Sequence, residues 1–194
     1  MSIEPDRKDW TWVLERPCPQ CAIEAGTIEP ERIASLIRAN ARGWVSVFGR
    51  TESGWQHERP DMSTWSPLEY AAHVRDVHQV FAERLQSMLE EDDPLWPDWD
   101  QDAAAVERDY PAQDPVEVIA QLEENAERVA GKYAALSDAQ WQRPGRRSDG
   151  ASFTTTTLAQ YHLHDVVHHL HDIHPDRPKT AGVPDQSSSA PSPS

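Results

Sequence analysis

The sequence predicts an all-α fold, a four-helix bundle with long connections. Three observations carry that reading. Apolar residues recur at helical spacing in four separate stretches, helix-start signals precede several of them, and no stretch alternates apolar and polar residues as a half-buried strand would.

The first helix is predicted from about Pro30 to Phe48. Ile33, Leu36, Ile37, Ala41, Trp44, Val45 and Phe48 share one face, a proline suits the first turn, and Gly49 offers a stop. The second starts at Ser66, with Pro67 at the first helical position and Glu69 at the third, the pattern of a capping box. Its stripe runs through Tyr70, Val74, Val77, Phe81, Leu85 and Met88 to about Glu90, and His73 flanks that stripe in the second turn.

Asp92-Asp-Pro-Leu-Trp-Pro-Asp-Trp-Asp100 reads as a loop, followed by a short helix over Ala103 to Arg108. Its tryptophans either close over a binding site or anchor in the core, the commoner use. The third long helix begins at Asp114-Pro115 with Glu117 in its first turn, and carries Val118, Ile119, Leu122, Ala126, Val129 and Tyr133 on one face. Gly131 weakens its end, and Ser137 to Trp141 forms a separate short turn. Arg143-Pro-Gly-Arg-Arg-Ser-Asp-Gly150 is rich in breakers, hence a loop, either simply solvated or an anion clamp. The fourth helix opens in Thr154 to Thr157 and runs to about His174, where Pro175 ends it.

These elements place a bundle domain at residues 29–176, behind an extended lead-in over 1–28 that holds Trp10, Trp12, Val13 and Leu14. A tail over 177–194 is too poor in apolar residues to offset its ordering entropy, and is expected to be disordered.

The 194 residues, 38% of them hydrophobic, suffice for one domain with a core. No apolar run approaches the roughly 20 residues that span a bilayer, and no basic flank leads into an apolar segment, so a cytoplasmic protein without membrane contact is expected. A formal net charge of −15 argues against DNA or RNA as partner, because nucleic-acid binding needs a basic face. Cys18 and Cys21 form a Cys-x-x-Cys that lacks the second half of a zinc ribbon. A local turn of reduced thiols is the default there; a disulfide, zinc with ligands from elsewhere, or redox sensing are the alternatives.

His162 to His174 holds six of the nine histidines in one predicted helix. Such a run is usually a solvated face. Here, however, residues four apart lie one above the other, so the segment can offer two ligands to a divalent ion, and His73 can supply a third from another helix. At 100° per residue, Leu163, Val166, Val167, Leu170 and Ile173 form the apolar arc and His168 lies nearly opposite. His169 flanks the arc, with Asp165 further round. Asp165 and His169 are therefore the preferred pair, and His164 with His168 the runner-up.

At these residues the chain resembles the DinB-like superfamily, which includes mycothiol-dependent maleylpyruvate isomerases and bacillithiol or mycothiol S-transferases. Trp65-Ser-Pro-Leu-Glu-Tyr-Ala-Ala-His73-Val looks like the family's second-helix motif, and Asp165-Val-Val-His-His169-Leu-His-Asp-Ile173 like its fourth-helix motif. The likeness spans roughly residues 30 to 175. It implies a four-helix bundle holding a divalent metal, zinc first and nickel, manganese or iron otherwise, through His73, Asp165 and His169. Asp165 stands where the family has His or Glu. The implied activity is transfer or isomerisation of an electrophilic small molecule with a low-molecular-weight thiol such as mycothiol, with Tyr161 or His162 orienting water or a leaving group and Arg146 and Arg147 clamping a carboxylate. A non-catalytic metal-binding or stress-associated bundle and a metal-dependent hydrolase are the alternatives. Pairing of chains into a homodimer remains open.

Overall fold

The computed structural model describes residues 10–50 and 54–173; the expected tail and the stop at His174-Pro175 lie outside them. Each long apolar stripe becomes a helix. α1 covers Pro30–Arg50, passing Gly49, and α2 covers Pro67–Glu90. Ser66 caps α2 reciprocally: its hydroxyl accepts from the Glu69 N–H at 3.3 Å, and its own N–H donates to the Glu69 carboxylate at 2.9 Å. The short α3 (Gln101–Glu107) precedes α4 (Pro115–Ala134), which is capped by Asp114. A single turn, α5 (Asp138–Trp141), then leads to α6 (Thr155–Asp172), capped by Thr154.

α1 packs against α4 and α6, and α2 packs against the same two helices. Around the bundle the order is therefore α1, α4, α2, α6. Helices consecutive in sequence, α1 and α2, sit at opposite corners, which explains why their connection is long. The order also makes α2 and α6 neighbours, so that His73 faces the histidine-rich helix. All four helices meet in one core that includes Ile33, Ile37 and Trp44 of α1, Leu68, Leu85 and Met88 of α2, Leu122 and Tyr133 of α4, and Leu158 and Leu163 of α6. Each such side chain contributes roughly 1.5–3 kcal/mol by leaving water. No helix among the described residues is long and apolar enough to cross a membrane.

Beside α3, Tyr110 donates to the buried Asp76 carboxylate at 2.6 Å, and Arg75 and Arg108 pair with the other oxygen at 2.8 and 3.0 Å. Tyr110→Phe should cost about 1–3 kcal/mol, since one buried acceptor loses its donor while the arginines stay. A lower urea midpoint at unchanged slope would register it.

Two stretches differ from the sequence reading. The expected loop at 143–150 belongs to a small sheet: β1 (Leu95–Trp96) pairs in parallel with β2 (Pro144–Arg147), which pairs antiparallel with β3 (Ser152–Thr154). Strands of two to four residues are too short to show a period. Gly145 permits the approach, because a Cβ there would meet the Trp96 ring at 2.3 Å. β2 alternates exposed and buried residues, so it turns Arg146 out to pair with Asp93 at 2.9 Å and turns Arg147 in.

The lead-in is not simply extended. It folds as 3-10 turns at Thr11–Leu14 and Ala25–Thr27 that pack on α6 and on each other. Only glycine fits at position 26, where a Cβ would lie 1.9 Å from the Leu14 carbonyl oxygen. This segment covers the face of α6 assigned to solvent by its periodicity, leaving His164 and His168 3% and 7% exposed.

Candidate metal centre

The capping box starts α2 at Pro67, which places His73 in its second turn, fully buried and facing α6. The Trp65 ring lies 5.2 Å from it, and Trp99 stacks on it at 5.4 Å with an interplanar angle of 8°. Asp165 and His169 stand one turn apart on α6. His73 Nε2 lies 3.7 Å from Asp165 Oδ1, and His169 Nε2 lies 3.6 Å from the same oxygen. One donor atom from each of the three residues fits within 4.8 Å of the other two.

These separations are too long for hydrogen bonds. They are slightly wider than the roughly 3–3.5 Å between two ligand atoms that each sit about 2.1 Å from one ion. His73 Nδ1 and Nε2 and Asp165 Oδ1 are buried and have no hydrogen-bond partner among the described residues. Buried polar atoms left so cost about 1–3 kcal/mol each, and a cation at their common centre would relieve that cost. Two imidazoles and a carboxylate suit zinc, iron, manganese or nickel, and three protein ligands leave positions open.

The charge states favour ligation. Burial would raise the Asp165 carboxyl, but His73, His169 and His162 outweigh it and hold the pKa below the usual carboxylate range. Burial lowers His73, with Asp165 in opposition. Carboxylate and neutral imidazole are the ligand forms at neutral pH. Asp172 Oδ2 lies 3.3 Å from His169 Nδ1 and so orients His169 Nε2 towards Asp165.

The other expected residues divide. Tyr161, one turn before Asp165, lies beside Arg147, whose guanidinium carbon is 5.9 Å from the phenol ring centroid and which pairs with Asp149 at 2.7 Å. Arg84 reaches the same region: burial lowers its pKa, the neighbouring Arg147 charge adds to the lowering, and Tyr161, Asp98 and Asp165 oppose it. Of the expected clamp, Arg147 turns inward and Arg146 does not. His162 is placed away from the centre, in the core. It stacks on Phe81 at 4.5 Å, sits 3.0 Å from His78 Nδ1 through Nε2, and sits 3.3 Å from the Tyr133 hydroxyl through Nδ1. His162 thus has no position from which to orient water or a leaving group, because α2 and α4 enclose it.

Sequence reasoning missed Arg84 and the position of Trp99. Arg84 follows Val77 and Phe81 at helical spacing, so a charge on the apolar face was its signal. Of the loop tryptophans, Trp96 is buried in the core and Trp99, partly buried, stacks on His73. The runner-up pair, His164 and His168, faces Cys18 and Cys21 rather than His73.

Fold and trio together define a helical-bundle protein whose neighbouring α2 and α6 carry a donor set suited to a divalent ion. The chain belongs to the DinB superfamily, whose family model matches residues 36–173. Among solved structures it resembles YfiT from Bacillus subtilis, described as "a probable metal-dependent hydrolase with an unusual four-helix bundle topology". The two are 19% identical with a TM-score of 0.67, over 75% of this chain and 86% of that one. At that identity the likeness is one of fold. No curated protein matches the chain significantly.

Proposed function

We propose that this protein is a metal-dependent thiol S-transferase or isomerase, joining a low-molecular-weight thiol of the mycothiol type to an electrophilic small molecule. The observation that carries the reading is the convergence of the buried His73 with the half-buried Asp165 and His169, three donors that would leave open coordination positions. A divalent ion held by those three residues, zinc first, would supply the acidity that turns a bound thiol into a thiolate at neutral pH.

The chain's own residues do the rest. Asp172 keeps His169 aligned. Trp65 and Trp99 pack on His73, and Tyr70 packs on His169 at 5.2 Å, so the ligands are shielded from water on those sides. Burial, with the Asp165 charge, raises the Tyr161 phenol and outweighs Arg147 and Arg84, so its Oη keeps a proton to share with charge that develops on the electrophile. Arg84 and Arg147 supply positive charge that favours a carboxylate on the thiol or the electrophile.

Hydrolysis is the second reading, supported by the description of YfiT, with water in place of the thiol. The deciding assay incubates metal-loaded protein with chlorodinitrobenzene and, in turn, mycothiol, bacillithiol, glutathione and cysteine. Thiol consumption above the uncatalysed rate, for at least one thiol, is the expected result. Turnover of ester or amide substrates without any thiol requirement would favour the hydrolase, and binding of the ion without either activity would leave a non-catalytic metal protein.

A further inference from the structure

We propose that Cys18, Cys21, His164 and His168 form a second metal site, a closed structural zinc centre that fastens the N-terminal segment to α6. This goes beyond the thiol-transfer reading and does not depend on it.

The donors are assembled by two rigid pieces. In Cys18-Pro-Gln-Cys21-Ala22 the chain makes a tight turn: the Ala22 N–H donates to the Cys18 carbonyl at 2.8 Å, and the Cys18 N–H donates to the Ile23 carbonyl at 3.0 Å. Ala22 takes a φ of 60°, a left-handed conformation uncommon for a residue with a Cβ. Cys21 is half-buried beside Cys18 in this turn. On α6, His164 and His168 are one turn apart with ring centroids 5.2 Å from each other.

One ligand atom from each of the four residues lies within 4.8 Å of all the others. Cys18 Sγ to His168 Nδ1 is 3.6 Å, which matches the edge of a zinc tetrahedron, about 3.5 Å for ligands at roughly 2.3 and 2.05 Å. The remaining nitrogen of His168, Nε2, faces Asp172 Oδ2 at 3.6 Å, beyond hydrogen-bond reach. His164 Nε2 is buried without a hydrogen-bond partner among the described residues. The Trp10 ring covers both imidazoles, with centroids at 5.9 and 5.3 Å.

Two thiolates and two imidazoles select zinc, and four protein ligands leave no open position, so the centre is structural rather than catalytic. As the ion binds, the thiols release two protons to solvent. The centre would add to a modest set of apolar anchors: from residue 10 to 27, Val13, Cys18 and Ala25 are buried, and Leu14 and Ile23 pack partly buried against the core. The two donor pairs of α6 interleave, His164 with His168 and Asp165 with His169. They are offset by one residue, about 100° of helix, so one pair faces the N-terminal turn and the other faces α2.

The test uses full-length protein purified under reducing conditions without a polyhistidine tag. Replacing both cysteines, Cys18→Ser with Cys21→Ser, should remove about one zinc per chain. After cobalt exchange, wild-type and His73→Ala proteins should both show a thiolate-to-cobalt charge-transfer band in the near ultraviolet, because the His73 centre contains no sulfur. Should the serine variant fail to fold, that band and X-ray absorption of the zinc-loaded wild type, with Zn–S at about 2.3 Å, still decide. Absence of sulfur from the metal's coordination shell in wild-type protein overturns the proposal, as does a Cys18–Cys21 disulfide in the reduced preparation.

Discussion

His73→Ala, purified without a polyhistidine tag, is expected to lose the ion of the His73–Asp165–His169 centre and with it any thiol-dependent turnover. The helices and the sulfur-bound ion should remain. His73 is the one donor that α2 contributes; without it Asp165 and His169 hold an ion through a single helical turn, exposed to exchange. Changes in groups that merely orient a ligand cost about 10–100-fold in metal affinity, so loss of a ligand should exceed 100-fold. Chelator competition followed by elemental analysis measures it. The substitution also deletes two buried nitrogens that have no hydrogen-bond partner among the described residues, so the metal-free variant should be no less stable than metal-free wild type by more than the cavity left by the ring. Unchanged metal content in His73→Ala would remove the basis of the proposed chemistry.

Metal-free protein should lose stability steeply between neutral pH and pH 5. Burial pushes His78 down to about 3, and burial together with the His78 charge holds His162 well below its ordinary value. In the folded state both are neutral over this range, joined through a 3.0 Å contact. The unfolded chain takes up a proton on each below about pH 6.5, so protons favour unfolding. Stability is therefore full above that value and declines as pH falls towards 3, by up to roughly 1.4 kcal/mol per pH unit for each such histidine. By pH 5 the pair alone should cost about 4 kcal/mol, a large part of a typical 5–15 kcal/mol. Burial lowers His73, His164 and His168 as well, which steepens the decline. Urea titrations at pH 7, 6 and 5 in the presence of chelator give the slope; a flat profile would contradict the buried neutral pair.

Much of this arrangement was legible before the structure. The cap at Ser66, the starts read at Asp114-Pro115 and within Thr154 to Thr157, and the apolar stripes behind them locate three of the long helices to within a residue or two of their starts. The 100° spacing favoured Asp165 and His169 over His164 and His168, because their side of the helix adjoins apolar surface, and the structure brings that pair beside His73. Periodicity fails where structure comes from tight turns. Residues 10–27 and 143–154 contain no run long enough to show a period, so neither the sheet nor the cover over His164 and His168 could be read. That is why those two histidines looked like a solvent face, and why Cys18 and Cys21 appeared to lack partners. The competition between the two candidate pairs on the last helix was a false choice: each meets a different part of the chain.

The order of helices around the bundle has a consequence for assembly. His73 and Asp165 meet across 92 positions of sequence, and Cys18 and His168 across 150. Neither donor set exists until the carboxy-terminal helix docks, so a nascent chain still lacking that helix cannot capture either ion in its native ligand set. Such distant contacts are slow to close. If the two proposed centres hold their ions, loading would accordingly be a late event in the maturation of this protein.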